Sequence, residues 1–434
     1  MFSIINSSLN YRKAITVLVM RFLSAILSYA VVVVFARVLE PIEYGHFSLI
    51  ISAMTIGAVF CKLGTDVLLI RYLGEYRPKK LFALSNGLIH KSLFTVALTT
   101  LFVVFLVAVY SYSLENIYYV IAAIFIFPAF VITDVLGAVI RSYGGLISAI
   151  GPKEVLWRCA LIILVVSGSF YGMSSRESLT ISLLGSGIVL AILVPFQIKR
   201  QRRLKQLCGA VTNESQIDRS EWLTTGMPLW FLLCSRVLVR LADVIIVGII
   251  LSVELAGVYF AVSRVAELIS FVLSTVNTII GPAVARGYSA GKIDKTQEKL
   301  SFVALFLLIS SCLLLLIFLI WGKEILSFIN PNFVQFWPLL LILSFGQFIN
   351  VAVGGAGVVL NMTGHEKVNG KILISTAPII LISMFVTTKL FGIYGAAIAS
   401  SIGYIVWNFR LWKALRTFSV FDTSFLSISK IIKY

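Results

Sequence analysis

From position 14 to position 412 the chain is a series of apolar runs separated by short polar stretches. The first run, "AITVLVMRFLSAILSYAVVVVFA", starts after Arg12 and Lys13 and ends at Arg37. A helix needs about 20 apolar residues to cross a bilayer, since each residue advances ~1.5 Å through a core ~30 Å thick. Runs of that length fall near 14–36, 46–69, 92–112, 116–140, 155–173, 178–198, 225–250, 256–283, 300–321, 335–358, 370–389 and 392–412. The pattern predicts an all-α polytopic membrane protein of about 12 transmembrane helices. Its longest connection is "KRQRRLKQLCGAVTNESQIDRSE", between the sixth and seventh runs.

Composition agrees with that reading. Apolar residues fill 59% of the 434 positions and charged ones 13%, too few to coat a soluble domain of this size. Mean hydropathy is +0.99. The five cysteines, Cys61, Cys159, Cys208, Cys234 and Cys312, have no metal-ligand spacing, and they read as small core residues. The first run is long enough to span and lacks a small-residue cleavage pattern, so it is expected to stay in the protein.

Orientation follows from the basic residues, which accumulate in cytoplasmic loops. With the N-terminus inside, the cytoplasmic segments hold Arg71, Arg77, Lys79 and Lys80, then Lys199 to Lys205, then Arg286, Lys292, Lys295 and Lys299. The outside loops hold only Arg37, Arg176, Lys323 and Lys389. Both termini are therefore expected in the cytoplasm. The formal charge of +17 is spread along these segments and is topological, so no nucleic-acid partner is expected. Trp222, Trp230, Trp321, Trp337, Trp407 and Trp412 lie near the ends of the runs, where an amphipathic ring favours the membrane interface.

The two halves resemble each other. The first run leads into "LEPIEYGHFSLI" and the seventh into "SVELAGVYFAV". Each places a glycine two residues before an aromatic, Gly45 before Phe47 and Gly257 before Tyr259, about half a chain apart. That spacing predicts parallel six-helix repeats. The expected divisions are an N-terminal lobe over 1–198, a basic cytoplasmic linker over 199–222, a C-terminal lobe over 223–414 and a cytoplasmic tail over 415–434.

With "FARVLEPIEYGHFSLI", "LADVIIVGIILSVELAGVYFAVSRV", "LNMTGHEKVNGKILIS" and "FGIYGAAIASSIGY", the chain resembles the O-antigen (Wzx-type) flippases. These belong to the multidrug/oligosaccharidyl-lipid/polysaccharide exporter (MOP) superfamily. The resemblance implies a MATE-like fold of two six-helix lobes in a V. It implies a lipid-linked oligosaccharide on undecaprenyl diphosphate as substrate, moved from the cytoplasmic to the outer leaflet of a bacterial inner membrane. Membrane lipids and other polysaccharide-assembly proteins are the partners it implies. Lipid II flippases of that superfamily carry two further C-terminal helices, so the resemblance points away from a lipid II role.

Charges inside the runs carry the candidate chemistry. The bases are Arg21, Lys62, Arg158, Arg236, Arg240 and Arg264, and the acids Asp66, Asp134, Asp243 and Glu267. A charge at the centre of a membrane helix costs roughly 2.5–3.5 kcal/mol, and such groups usually face a bundle interior or a hydrated cavity. Arg236, Arg240 and Asp243 share one helical face at i, i+4 and i+7. Lys62 with Asp66, and Arg264 with Glu267, are spaced to pair within their helices, which would make them structural ion pairs, and Arg158 could snorkel to the interface. Arg21 and Arg236 have no acid at helical spacing. A guanidinium fork binds phosphate oxygens two at a time. Arg21, Lys62, Arg236, Arg240 and Arg264 are thus the expected contacts of an anionic head group. Asp66, Asp134, Asp243 and Glu267 are the candidates for coupling an ion, H+ or Na+. Gln347, Asn350, the "GGAG" of Gly354 to Gly357, Pro128 and Pro282 interrupt other runs and mark bends.

Enzyme signatures are absent. His46, His90 and His365 are isolated, and neither a zinc motif nor a nucleotide-binding loop occurs, so no cofactor is expected. A polysaccharide polymerase or ligase would carry its reactive residues on a large outside loop, and the outside loops here are short. A drug or cation antiporter of the same fold is the remaining alternative. It would need a cavity rich in acids and aromatics, whereas the bases here outnumber the acids.

Overall fold

The structure, a computed structural model, describes residues 2–76, 81–111, 117–206 and 219–430; within these ranges the side chains at 2–18, 21, 109–111, 117, 205–206, 219–221, 223–225, 279 and 428–430 are outside the described set. In chain order the helices are α1 (Phe2–Val38), α2 (Pro41–Lys62), α3 (Thr65–Tyr76), α4 (Phe82–Ser111), α5 (Ile117–Ser142) and α6 (Leu146–Gly151). A single π-helical turn (Pro152–Leu156) joins α6 to α7 (Trp157–Phe170), followed by α8 (Ser175–Gln206) and α9 (Arg219–Ile250). Then come α10 (Val253–Ala266), α11 (Leu268–Ser289), α12 (Ile293–Ile329), α13 (Trp337–Val353), α14 (Ala356–Met362) and α15 (Glu366–Phe418). Two 3-10 turns, Pro331–Phe336 and Phe425–Lys430, complete the set. The chain forms two compact units, Met1–Cys234 and Ser235–Tyr434, and the division falls inside α9.

In the first unit, small residues let long helices touch. Gly187 of α8 sits against Ile126 of α5, and Gly168 of α7 lies against Ser178 of α8, where an added methyl would collide. Trp157 closes the same seam by donating to Ser186 at 3.1 Å. The run expected over 46–69 is not one helix. It breaks at Leu63 and Gly64, which adopt φ of 47° and 74°. Gly64 backs onto α9, where a Cβ would stand 2.9 Å from the carbonyl oxygen of Gly226. Hydropathy could not register this break, because a leucine and a glycine leave an apolar run unbroken.

In the second unit, the run expected over 256–283 divides into α10 and α11 at Glu267, and the one over 335–358 divides at Gly354 (φ 74°). The last two runs form two helices, grouped as α15, that meet at a kink at Gly392 (φ 63°, ψ −147°), a conformation open to glycine alone. The segment beyond α15 is built into the unit. Phe421 is 1% exposed within the cluster of Val284, Leu300, Val359, Leu360 and Leu415. Gln297 and Asp422 exchange two hydrogen bonds of 2.8 and 2.9 Å. Among the described residues, eight helical segments are long and apolar enough to cross a membrane. Helix α9, with Arg236, Arg240 and Asp243 in its apolar part, is not among them.

Candidate substrate site

Each unit carries its own charged cluster. In the first, Lys62 ends α2 just before the break, and Asp66 begins α3 just after it, so their ion pair of 3.0 Å spans the break. Asp134 of α5 joins Lys62 at 3.2 Å and Lys153 at 2.8 Å. Beside them Arg158 of α7 pairs with Glu154 at 2.7 Å, and its guanidinium donates to the carbonyl and hydroxyl oxygens of Ser24 in α1. The cluster therefore ties α1, α2, α3, α5 and α7 together. Its described charges balance, three bases against three acids. Arg21 lies in α1 near Ser24 in sequence, and its side chain is outside the described residues.

The second cluster does not balance. Glu267, at the junction of α10 and α11, accepts a two-pronged contact from Arg240 of α9, with Nε to Oε1 at 3.1 Å and Nη2 to Oε2 at 3.2 Å. Arg264 donates to the same Oε2 at 2.7 Å and lies 4.8 Å over the Phe260 ring. One carboxylate thus serves two guanidinium groups. Arg264 and Glu267 are largely enclosed, with side chains 13% and 17% exposed, whereas Arg240 is 55% exposed. Arg236 stands one turn before Arg240 on the same helix, is exposed, and has no ion-pair partner among the described residues. Asp243 is buried at 4% exposure and accepts a hydrogen bond from the amide of Val244 at 2.9 Å. It lines a narrow polar crevice with Arg240, Glu267, Gln347, Ser400 and Tyr404.

Three charged groups escape a reading of the sequence, two in the first cluster and one apart from both clusters. Lys153 and Glu154 sit beside Pro152 and read as loop, yet the π turn carries both into the helical bundle. Glu43 precedes the second apolar run and reads as outside it. Helix α2 starts earlier, at Pro41, whose ring suits the first helical turn, so Glu43 is buried and accepts a hydrogen bond from Tyr119. Arg176 approaches Glu43 at 3.7 Å. The local pairing of Lys62 with Asp66 and of Arg264 with Glu267 was legible from spacing. The partnership of Arg240 with Glu267 was not, because it joins two helices.

Residues 11–288 match a family described as polysaccharide biosynthesis protein. An uncharacterised membrane protein of Methanocaldococcus jannaschii is 22% identical over 417 residues, a stretch covering 90% of this chain and 81% of that protein. Among solved structures, the fold is similar to that of a multidrug resistance MATE family transporter of the MOP superfamily in an inward-facing conformation. The TM-score is 0.71 at 12% identity, over 94% of this chain and 95% of that one. It is similar also to the lipid II flippase MurJ in an inward closed conformation, with a TM-score of 0.64 at 15% identity, over 96% and 90% of the two chains. The MATE-like, all-α fold expected from the sequence is therefore the fold observed.

Proposed function

The chain belongs to the polysaccharide biosynthesis protein family, and from that premise we propose that it is a flippase for a lipid-linked oligosaccharide. It moves an undecaprenyl-diphosphate-linked repeat unit, of O-antigen or a related surface polysaccharide, from the cytoplasmic to the outer leaflet of a bacterial inner membrane. Both termini face the cytoplasm, and the chain works as a transporter rather than an enzyme.

The observation that carries this reading is the surplus of guanidinium groups over carboxylates in the second unit's cluster. Arg240 and Arg264 already share Glu267, and Arg236 adds a third positive charge one turn away. An exposed arginine within an apolar helix requires water or an anion beside it, because hydrocarbon satisfies neither its charge nor its donors. A diphosphate answers both needs through paired oxygens. A cation substrate would meet repulsion there, which disfavours the antiporter alternative. Lys62 and Arg21 are the basic candidates of the first unit, and Asp66, Asp134, Asp243 and Glu267 are the acids available to couple H+ or Na+. Outward movement of a diphosphate is itself downhill in an inside-negative membrane, by ~2.3 kcal/mol per charge per 100 mV.

The test is complementation of a flippase-null strain, scored for surface polysaccharide and for protein level in the membrane. Arg236→Ala with Arg240→Ala should abolish surface polysaccharide while the protein still inserts. Arg236→Lys keeps the charge and loses the fork, so it should retain part of the activity. Normal polysaccharide from the double alanine variant would overturn the anion site on α9.

A further inference from the structure

Lys62 and Lys153 converge on a single atom. Both ammonium groups reach Oδ2 of Asp134, at 3.2 and 2.8 Å. Oδ1 of Asp134 accepts no hydrogen bond from the described residues, so the two cations are not divided between the carboxylate oxygens. Two like charges are instead drawn close together at one oxygen, with Asp66 as a second acid on Lys62. The Lys153 ammonium also lies 3.4 Å over the face of the Phe130 ring, which stabilises a cation without neutralising it. None of the four side chains is sealed: Lys62, Asp66, Lys153 and Asp134 are 10%, 19%, 17% and 24% exposed. Lys153 reaches this place because the helix widens into a π turn at Pro152–Leu156, a local change found often at functional sites.

We propose that Lys62 and Lys153 form a phosphate-binding pair, and that Asp134 occupies it until a lipid-linked phosphate or diphosphate takes its place. This rests on the flippase reading and adds to it a second anion site, in the first unit. A phosphate group offers several oxygens to two ammonium groups, so it satisfies the pair better than one carboxylate oxygen does. The exchange trades one anion for another at the same lysines but leaves the Asp134 carboxylate without its ammonium partners, so net binding is weak. Weak net binding suits a transporter, because a substrate held too tightly on one side would not leave on the other. Asp66 keeps Lys62 in place through the exchange, since it holds that ammonium independently at 3.0 Å.

The experiment uses the full chain purified in detergent, with farnesyl diphosphate as the probe. Inorganic diphosphate and farnesol serve as the head-group-only and chain-only controls. Lys62→Gln and Lys153→Gln should each weaken farnesyl diphosphate binding roughly tenfold, the equivalent of ~1.4 kcal/mol. Asp134→Asn should tighten it several-fold, because the competing charge is gone. Lys153→Arg keeps the cation and should bind within a few-fold of wild type, which guards against misreading a variant that fails to fold. Inorganic diphosphate should follow the same order more weakly, and farnesol should not respond to these substitutions. A purely structural ion pair gives a different result: Asp134→Asn lowers the melting temperature and leaves binding unchanged or weaker. That outcome, or lysine variants that bind like wild type, would overturn the proposal. If binding is then lost in Arg236→Ala with Arg240→Ala, the flippase reading survives without this second site. If the wild-type chain binds neither diphosphate probe, both readings fall.

Discussion

Arg240 and Arg264 hold the same carboxylate, but their exposure gives them different work. Arg264 is enclosed, so replacing it leaves the buried Glu267 with less compensation and a gap beneath the Phe260 ring. Breaking a buried pair in this way typically costs ~3–5 kcal/mol. Arg240 is more than half exposed, and water screens its attraction to Glu267, so its loss should cost no more than about 1 kcal/mol. Arg264→Ala is therefore expected to lower the melting temperature in detergent clearly more than Arg240→Ala does. Surface polysaccharide per inserted protein should show the reverse order of damage for Arg240. Equal melting losses for the two variants would contradict this division. Glu267, rather than Asp243, is also the acid whose replacement should compensate for loss of Arg240, because the contact runs from α9 to the α10–α11 junction.

At the scale of the elements, the breaks matter more than the helices. Among the described residues seven glycines have positive φ, and Gly64, Gly144, Gly354 and Gly392 are four of those that mark places where a helix stops or turns. Adding a Cβ at any of them incurs backbone strain of about 1–3 kcal/mol. Space then separates them. Around Gly144 nothing lies within 4 Å of the added carbon, whereas at Gly64 the carbonyl oxygen of Gly226 is 2.9 Å away and the backbone of Trp230 is close behind. Gly64→Ala should therefore lower the melting temperature more than Gly144→Ala, since α2, α3 and the start of α9 would have to part. If the two variants melt together, the close approach at Gly64 contributes nothing. The same break positions Lys62 and Asp66 on successive helices, so a disturbed Gly64 should also disturb the cluster around Asp134.

For the whole molecule, the distribution of charge predicts its placement in the membrane. Basic residues crowd the segments around Lys199 to Arg203 and Arg286 to Lys299, while the opposite ends of the helices carry few, such as Arg176 and Lys323. In a chain whose native cysteines have been replaced, single cysteines at Ser175 and Lys323 should react with a membrane-impermeant thiol reagent in intact cells. A cysteine at Arg202 should react only after lysis. Labelling of position 202 from outside would overturn the proposed orientation. The charge balance of the two units is also unequal. The described charges of the first unit's cluster cancel, whereas in the second three bases face two acids and Arg236 has no ion-pair partner among the described residues.

The sequence by itself determined the class of the fold and the inventory of charges. Twenty-residue apolar runs admit only one solution in hydrocarbon, a helix whose backbone bonds are internal, so the all-α architecture follows from composition along the chain. Pairs at helical spacing, such as Arg264 with Glu267, followed for the same reason: neighbours on one helix face are set by local geometry. Only the tertiary structure decided where helices break and which charges meet across them. The break at Leu63 and Gly64 depends on α9 lying against it, and no local signal distinguishes it from an uninterrupted span. Lys153 and Glu43 looked like loop residues because hydropathy places a boundary at the first charge, whereas the helices extend past it and carry those charges inside. The meeting of Lys62, Asp134 and Lys153 on one oxygen, and of Arg240 with Glu267, required the packing of separate helices. Long-range contacts of that kind leave no period in the sequence.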